Sequence, residues 1–159
     1  MAQKTISPAM PKQRKSALPI PEKIYRILEE TLKFERQQLL SIFNSIDEPI
    51  YVSDPDTFEV LFANQTLRKT FGSVKKKECF KAFQGRSSPC PFCTNKHIFG
   101  ENLGKPYIWE FQNEINKRFY KGMDRAIRWP SGKMVRCEVA VDVNEPKTAE
   151  NVRRISEER

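Results

Sequence analysis

The sequence lacks the features that identify several large classes of protein. No stretch approaches about 18 consecutive apolar residues, which argues against a transmembrane helix and a membrane partner. The first 20 residues are basic but have no apolar signal-peptide core, so nothing supports secretion. The chain also has no glycine-rich phosphate loop, no kinase nucleotide-binding box and one histidine. We therefore expect a cytoplasmic protein that is not itself an enzyme.

Cysteine is scarce, whereas positive charge is in excess. Four cysteines without an export signal favour free thiols, metal ligands or a redox switch over a disulfide scaffold. The net charge is +8, but it is scattered over the N-terminal tail, a loop at 75–77 and the C-terminal end. No basic helix with interleaved aromatic residues is present, so a solvated surface is favoured and no nucleic-acid partner is expected.

The N-terminal part divides into a tail and a long helix. Residues 1–20 are rich in proline and polar residues and are predicted to be disordered. A helix is predicted over 21–45, and Pro21 and Glu22 suit its first turn. Apolar residues in it alternate steps of three and four, which predicts a homodimeric coiled coil; the alternative is a helix folded back on its own sheet. The positions are Tyr25, Leu28, Leu32, Glu35 (the polar break), Leu39, Ile42 and Ile46.

After residue 46 the sequence predicts short strands and helices. The strands are expected at 49–52, 58–62, 107–112, 119–129 and 134–143, and the helices at 65–71, 76–83 and from Cys90 to about Phe99. Asn64 is predicted to cap the helix that Gly72 ends. Strands separated by a helical insertion predict an α+β fold with an antiparallel sheet.

The final strand has a clear period of two. Val135, Cys137, Val139, Val141 and Val143 share one face, which is predicted to be the buried one, with Cys137 packed in the core. The opposite face, predicted to be exposed, carries Met134, Arg136, Glu138 and Asp142.

Four segments in this order resemble the PAS family of sensory domains. They are RQQLLSIFNSIDEPIYVSD at 36–54, FANQTLRKTFG ending at Gly72, WPSGKMVRCEVAVDVNE at 129–145, and the terminal KTAENVRRISEER. Asn144 replaces the usual threonine of the Asp-x-Thr junction. The resemblance spans about residues 36–159.

The resemblance implies a five-stranded antiparallel sheet at 46–145 with short helices over one face, enclosing a small cavity. It also implies an output helix at 146–159 that leads to a downstream effector, such as a histidine kinase of a two-component system or a second-messenger enzyme. A chain that ends inside this helix suggests a fragment. A small-molecule ligand would occupy the cavity. We expect aromatic residues to line it, although such residues often simply fill the core: Phe80, Phe83, Trp109, Phe111, Phe119 and Trp129.

The cysteines offer a second candidate site. Cys90 and Cys93 form a Cys-x-x-Cys pair, and Pro91 suits the first helical position, which would lower the thiol pKa. Together with Cys79 and either His97 or Cys137, the pair could hold zinc, and an iron–sulfur cluster would prefer the four cysteines. A reversible Cys90–Cys93 disulfide and simple core packing are the other interpretations.

Haem and flavin are disfavoured as cofactors. The Cys-x-x-Cys-His pattern of c-type haem attachment is absent, and no photoreactive cysteine motif of the usual form is found. His97, near the long helix of such a core, leaves b-type haem as a weak possibility. The sequence thus favours a non-catalytic sensory and dimerisation module. The alternative is a stand-alone metal- or thiol-redox-binding protein that uses Cys79, Cys90 and Cys93.

Overall fold

The structure is a computed structural model that describes residues 21–144. The chain divides into two compact units, one ending at Arg36 and the other beginning at Gln37. The predicted disordered tail at 1–20 and the predicted output helix at 146–159 lie outside the described residues.

A single long helix, α1, spans Glu22–Asn44, so the predicted N-terminal helix is confirmed. None of its residues is buried. The heptad positions Tyr25, Leu32 and Ile42 are at least 60% exposed. Within residues 21–144, the apolar face of α1 therefore stays exposed.

The second unit is built on an antiparallel sheet of five strands, in the spatial order β2-β1-β5-β4-β3. Chain neighbours β1 and β2, β3 and β4, and β4 and β5 pair as hairpins, while the pairing of β1 with β5 brings the two ends of the unit together. In chain order the elements are β1 (Ile50–Ser53), β2 (Val60–Ala63), α2 (Gln65–Phe71), α3 (Cys79–Gln84), α4 (Asn95–Ile98), a 3₁₀ turn (Gly100–Asn102), β3 (Tyr107–Gln112), β4 (Phe119–Arg128) and β5 (Met134–Asp142).

The α+β class, the five antiparallel strands and the short helices are all as predicted. One strand and one helix begin later than predicted, because turns take the place of their first residues. The strand predicted from Phe58 begins at Val60, since Phe58 has a φ of 61° and closes a turn by donating its N–H to the Asp54 carbonyl. Likewise, Lys76 has a φ of 65°, and α3 begins only at Cys79.

Asn64 ties the end of α1 to the sheet. Its Oδ1 accepts hydrogen bonds from the N–H groups of Leu67, in the first turn of α2, and of Ile50 in β1, at 3.1 and 3.0 Å. Its Nδ2 donates to three carbonyls of the segment that leads from α1 to β1. Asn64 is fully buried, and the two bonds that its Oδ1 accepts are shielded from water. The predicted N-cap is confirmed, as is the end of α2 at Gly72, which has a φ of 74°.

Between Arg136 and Val141 the two faces of β5 are reversed relative to the prediction, whereas Val135 is buried as predicted. Arg136 and Glu138 are 6% and 4% exposed and lie on the inner face, toward α2 and α3. Cys137 and Val141 lie on the outer face, and Val141 is 42% exposed. The prediction was wrong because the charged side chains pair with one another, and paired charges can be buried.

A search of residues 21–144 for membrane spans finds no helix with both the length and the apolar character that crossing a bilayer requires.

Candidate functional site

A cavity of about 50 Å³ lies between the inner face of the sheet and helices α2 and α3. Its walls are mostly aromatic. Of the six predicted aromatic positions, Phe80, Phe83, Trp109 and Phe111 line it. Phe119 does not, because it alternates with the buried Tyr120 and lies on the outer face of β4, 37% exposed. Trp129, just after β4, is half-buried and also lies outside the cavity wall.

The sequence analysis missed five further aromatic side chains of the wall. Their rings join those already named into three contacting groups. In the first, Phe83 contacts Tyr51 at 4.6 Å and Phe71 at 5.5 Å between ring centres. In the second, Phe58 contacts Phe80 at 5.6 Å, and in the third Trp109 stacks on Phe111 at 4.4 Å. The five missed residues are Tyr51, Phe58, Phe71, Phe92 and Tyr120.

Trp109 in β3 is held close against the neighbouring strand. Its indole lies over Gly122 in β4, where a Cβ atom would come within 2.6 Å of Nε1. Glycine at this position therefore leaves room for the ring. The Trp109 Nε1–H is buried and has no hydrogen-bond partner among the described residues. A buried donor without a partner is costly, and Trp109 lines the cavity.

Charged and polar side chains form the floor of the cavity. Arg136 donates through Nε to Asp124 Oδ1 at 3.2 Å and through Nη2 to Glu138. The Tyr51 hydroxyl donates to Glu138 Oε2 at 3.0 Å. These four residues, which we call the buried charge cluster, come from three adjacent strands, and each is at most 7% exposed. The register makes the cluster possible, because Glu138 lies opposite both Tyr51 and Asp124.

Burial shifts the pKa values in the buried charge cluster. Burial, followed by the negative charge of Asp124, raises the pKa of Glu138 from 4.5 to about 8, although Arg136 opposes the shift. A hydrogen bond between the Glu138 and Asp124 side chains acts in the same direction. Burial also raises the pKa of Tyr51 well above 10.0. At neutral pH Glu138 is therefore mostly protonated, and Tyr51 keeps its proton.

Three of the four cysteines reach the cavity wall: Cys79, Cys90 and Cys93. Cys79 lies in α3, and Cys90 and Cys93 lie in a turn closed by a 3.0 Å hydrogen bond from the Cys93 N–H to the Cys90 carbonyl. The helix after this turn begins only at Asn95. The prediction of a helical start at Pro91 and a lowered thiol pKa is therefore wrong: burial raises the pKa of Cys90 to about 11 and that of Cys79 to about 12.

The other two predicted ligands lie elsewhere. His97 stacks on Tyr107 with ring centres 4.3 Å apart, and Cys137 is on the outer face of β5. No group of three His, Cys, Asp or Glu side chains within residues 21–144 is arranged to hold a metal ion. The described part of the chain therefore does not assemble the predicted four-ligand set.

The sequence analysis assigned no site role to Arg136, Glu138, Asp124 or Tyr51. One signal was present: Arg136 and Glu138 carry opposite charges two residues apart, and so share a face of one strand. Their partners, Tyr51 and Asp124, could not be found because they lie on other strands, 87 and 12 residues away in the respective hydrogen bonds.

No family model and no curated protein matches this chain. Solved structures do resemble it. The PAS domain of an HTR-like protein from Haloarcula marismortui superposes with a TM-score of 0.59 at 14% identity, covering 74% of this chain and 98% of that one. The PAS domain of nitrogen regulation protein NR(II) from Vibrio parahaemolyticus gives a TM-score of 0.51 at 11% identity, covering 65% and 95%. At such identities the similarity concerns the fold.

Proposed function

We propose that this chain, which has the PAS fold, is a non-catalytic sensory and dimerisation module of a signalling protein. The observation that supports this most is the cavity between the sheet and the short helices, with aromatic walls and a charged floor. Ligand sites in proteins are typically apolar pockets with a few oriented polar groups. In this proposal a small ligand occupies the cavity, and its binding is passed on through the flanking helices.

The helices at the two ends provide the route for the signal. The exposed apolar positions of α1, including Leu28, Leu32 and Leu39, would form a homodimer interface. The predicted output helix at 146–159 would connect to an effector, such as a sensor kinase or a second-messenger enzyme. A cytoplasmic location is part of this proposal, since the four cysteines are free thiols and suit a reducing compartment.

Binding in the cavity can be tested by NMR with a diverse set of small neutral, anionic and cationic compounds. We expect at least one compound to shift the resonances of Tyr51 and Trp109 at opposite ends of the wall. Ala140→Leu, which places extra atoms in the cavity, should abolish the shifts. Val141→Leu, on the outer face of the same strand, is the matched control and should preserve them. If no compound shifts these resonances, the sensory proposal fails.

A second candidate function, a stand-alone metal- or thiol-redox-binding protein, is favoured by one observation. Cys79, Cys90 and Cys93 share the cavity wall, so a change of charge at one thiol would shift the pKa of the others. Purification under anaerobic, chelator-free conditions, followed by metal analysis and a visible absorption spectrum, tests this. Stoichiometric zinc, or iron with sulfide absorption, that is lost in Cys90→Ser would support it. A folded, colourless and metal-free protein whose thiols do not form a reversible disulfide would exclude it.

A further inference from the structure

The buried charge cluster has more negative than positive charge. With every group ionised, the guanidinium of Arg136 is outnumbered by the carboxylates of Asp124 and Glu138. Arg136 makes its hydrogen bonds to these two carboxylates through Nε and Nη2. Of the three groups, Arg136 and Glu138 are part of the cavity wall. A positive charge placed in the cavity would balance this excess.

The walls suit a positive charge as well. The face of an aromatic ring is negative and attracts cations within about 6 Å of its centre, most strongly when water is excluded. The rings of Trp109, Phe111 and Tyr120 stack on one another on the inner face of the sheet, with centres 4.4 and 5.7 Å apart, so a cation would meet the faces at the ends of this stack. The Tyr51 face is already used, since the Arg136 guanidinium lies 5.5 Å from its ring centre.

We propose that the cavity binds a small organic cation of the alkylammonium class, held by the aromatic ring faces and by the carboxylate of Glu138. This inference rests on the proposed ligand-sensing function and specifies its ligand. A volume of about 50 Å³ has room for roughly three to five non-hydrogen atoms. The ligand is therefore the size of a methylated amine and not of a flavin or a haem.

Anionic and neutral ligands fit this cavity less well. An anion would meet the carboxylate of Glu138, and its natural partner, Arg136, already binds Glu138 and Asp124. A neutral apolar molecule would gain from the aromatic walls but would leave Glu138 protonated and would gain nothing from its charge. Only a cation gains from the walls and from the floor at the same time.

Binding of a cation should release the proton that Glu138 carries in the ligand-free cavity. Without a ligand, the excess negative charge is removed by this proton. The bound cation takes over this role, so the O–H bond of Glu138 breaks and its proton passes to the solvent. Each ligand bound below about pH 8 should therefore release close to one proton.

The other titratable and charged groups that face Glu138 do not obscure this coupling between cation binding and proton release. They are Tyr51 on β1, Asp124 on β4, Arg136 on β5 and Cys79 on α3. Burial raises the pKa of Tyr51 well above 10.0 and that of Cys79 to about 12, so both stay protonated in the range of the experiment. Arg136 stays charged: burial alone would lower its pKa, but its negative neighbours raise the pKa well above the usual value for arginine.

The test uses tetramethylammonium, whose charge does not depend on pH, with tert-butyl alcohol as a neutral molecule of the same branched shape and acetate as an anion. Calorimetry between about pH 6 and 9.5 should show tetramethylammonium binding that strengthens about tenfold per pH unit and levels off above about pH 8. Repeating the titration at about pH 7 in two buffers of different ionisation enthalpy should give close to one proton released. Weaker binding of acetate and pH-independent binding of the alcohol are expected.

Matched variants separate the effect of the cavity's charge on binding from the effect of its shape. Glu138→Gln should weaken tetramethylammonium binding at least tenfold at about pH 9 and remove its pH dependence, without changing the binding of the alcohol. Phe111→Leu, which removes the middle ring of the stack but keeps an apolar wall, should weaken cation binding severalfold and spare binding of the alcohol. Glu101→Gln, at an exposed carboxylate, should behave as the unmodified chain.

The outcomes distinguish this inference from the proposal on which it rests. Neutral or anionic compounds that bind in the cavity while tetramethylammonium does not would overturn the inference and leave the sensory proposal intact. Cation binding that is insensitive to pH and to Glu138→Gln would also overturn it. If nothing binds in the cavity, both fail. Phe111→Leu keeps the test decisive should Glu138→Gln fail to fold.

Discussion

At the scale of single residues, the inner face of the sheet depends on a few contacts in which neither the size nor the charge of the side chains can be changed. Arg136, Glu138 and Asp124 are tolerated there because each is hydrogen-bonded to another member of the group. Removing one partner of a buried pair usually destabilises a protein more than the pair itself contributes. Trp109 is similarly dependent on Gly122, because a larger residue at that position would occupy the space of the indole.

Glu138 should give the protein an unusual dependence of stability on pH. Its pKa in the folded protein is raised to about 8, so the folded state keeps a proton that the unfolded state releases near pH 4.5. The free energy of unfolding should therefore fall as pH rises from about 5 to 8, by up to about 1.4 kcal/mol per pH unit. Glu138→Gln should lack this contribution and be more stable than the unmodified chain at about pH 9. Urea unfolding at a series of pH values measures both.

The relevant quantity is the difference in the free energy of unfolding between Glu138→Gln and the unmodified chain, followed as a function of pH. Asp54 and Asp142 have lowered pKa values, since hydrogen bonds and nearby cations outweigh the effect of burial, and they affect stability mainly at more acidic pH. Parallel curves for Glu138→Gln and the unmodified chain between about pH 5 and 8 would contradict the assignment.

Gly122→Ala should displace the indole of Trp109. The added Cβ would lie 2.6 Å from Nε1 and 3.2 Å from Cδ1, and Trp109 cannot move without disturbing its stacking on Phe111. We expect a loss of about 1–3 kcal/mol in the free energy of unfolding, together with a changed tryptophan fluorescence spectrum. Trp129→Phe as background assigns the fluorescence to Trp109. Lys121→Ala, at the exposed neighbouring position, should change neither.

At the scale of elements, the junction between α1, β1 and α2 is held by one side chain. Asn64 satisfies two N–H groups and three carbonyls that belong to separate segments. The Asn44 side chain adds a further link, since its Oδ1 accepts a 2.8 Å hydrogen bond from the N–H of Gln65. A signal that moved the end of α1 would therefore reach the sheet directly at this junction.

Asn64→Ala should destabilise the protein strongly. An N-cap alone is worth about 1 kcal/mol, and here the substitution also leaves buried N–H and C=O groups without partners. We expect the free energy of unfolding to fall by about 3 kcal/mol or more in chemical denaturation. Thr70→Ala removes only an exposed 3.3 Å hydrogen bond within α2, so it should change stability by less than about 0.5 kcal/mol. Similar effects of the two substitutions would show that Asn64 acts merely as a local cap.

How far the sequence predicts each element depends on how local its determinants are. The helix at 65–71 was predicted at its true bounds because its cap, Asn64, and its terminating glycine, Gly72, are adjacent to it in the chain. The helix expected from Cys90 was mostly a turn instead, and it begins only at Asn95. Local preference for a helix there is overridden by contacts of the cysteine-bearing turn with the cavity wall, which the sequence does not reveal.

At the scale of the whole molecule, the exposed apolar surface of α1 would be stabilised by a partner that covers it. Most helical stability in proteins comes from packing of an apolar face. No residue of α1 is buried, and Leu32 is 67% exposed. A second copy of the chain, paired through the heptad positions, would cover this surface.

Leu32→Lys should convert a dimer into a monomer. Lysine at a central seam position would place two like charges at the coiled-coil interface. Light scattering coupled to size exclusion should give twice the chain mass for the unmodified protein and the single chain mass for the variant. Leu103→Lys, at an exposed apolar residue outside α1, should remain dimeric. A monomeric unmodified protein at about 100 μM would argue against the dimer.

Hydrophobic period and capping act between residues close in sequence, so they sufficed to predict the α+β class, the long N-terminal helix, the order of the strands along the chain and the Asn64 cap. Which face of β5 carries the buried charges is instead set by long-range pairing. That choice depends on Tyr51 and Asp124, which strand pairing places on either side of Glu138. Charges that are exposed by every local rule become buried when distant strands supply their partners, and the cavity floor of this protein is built from such charges.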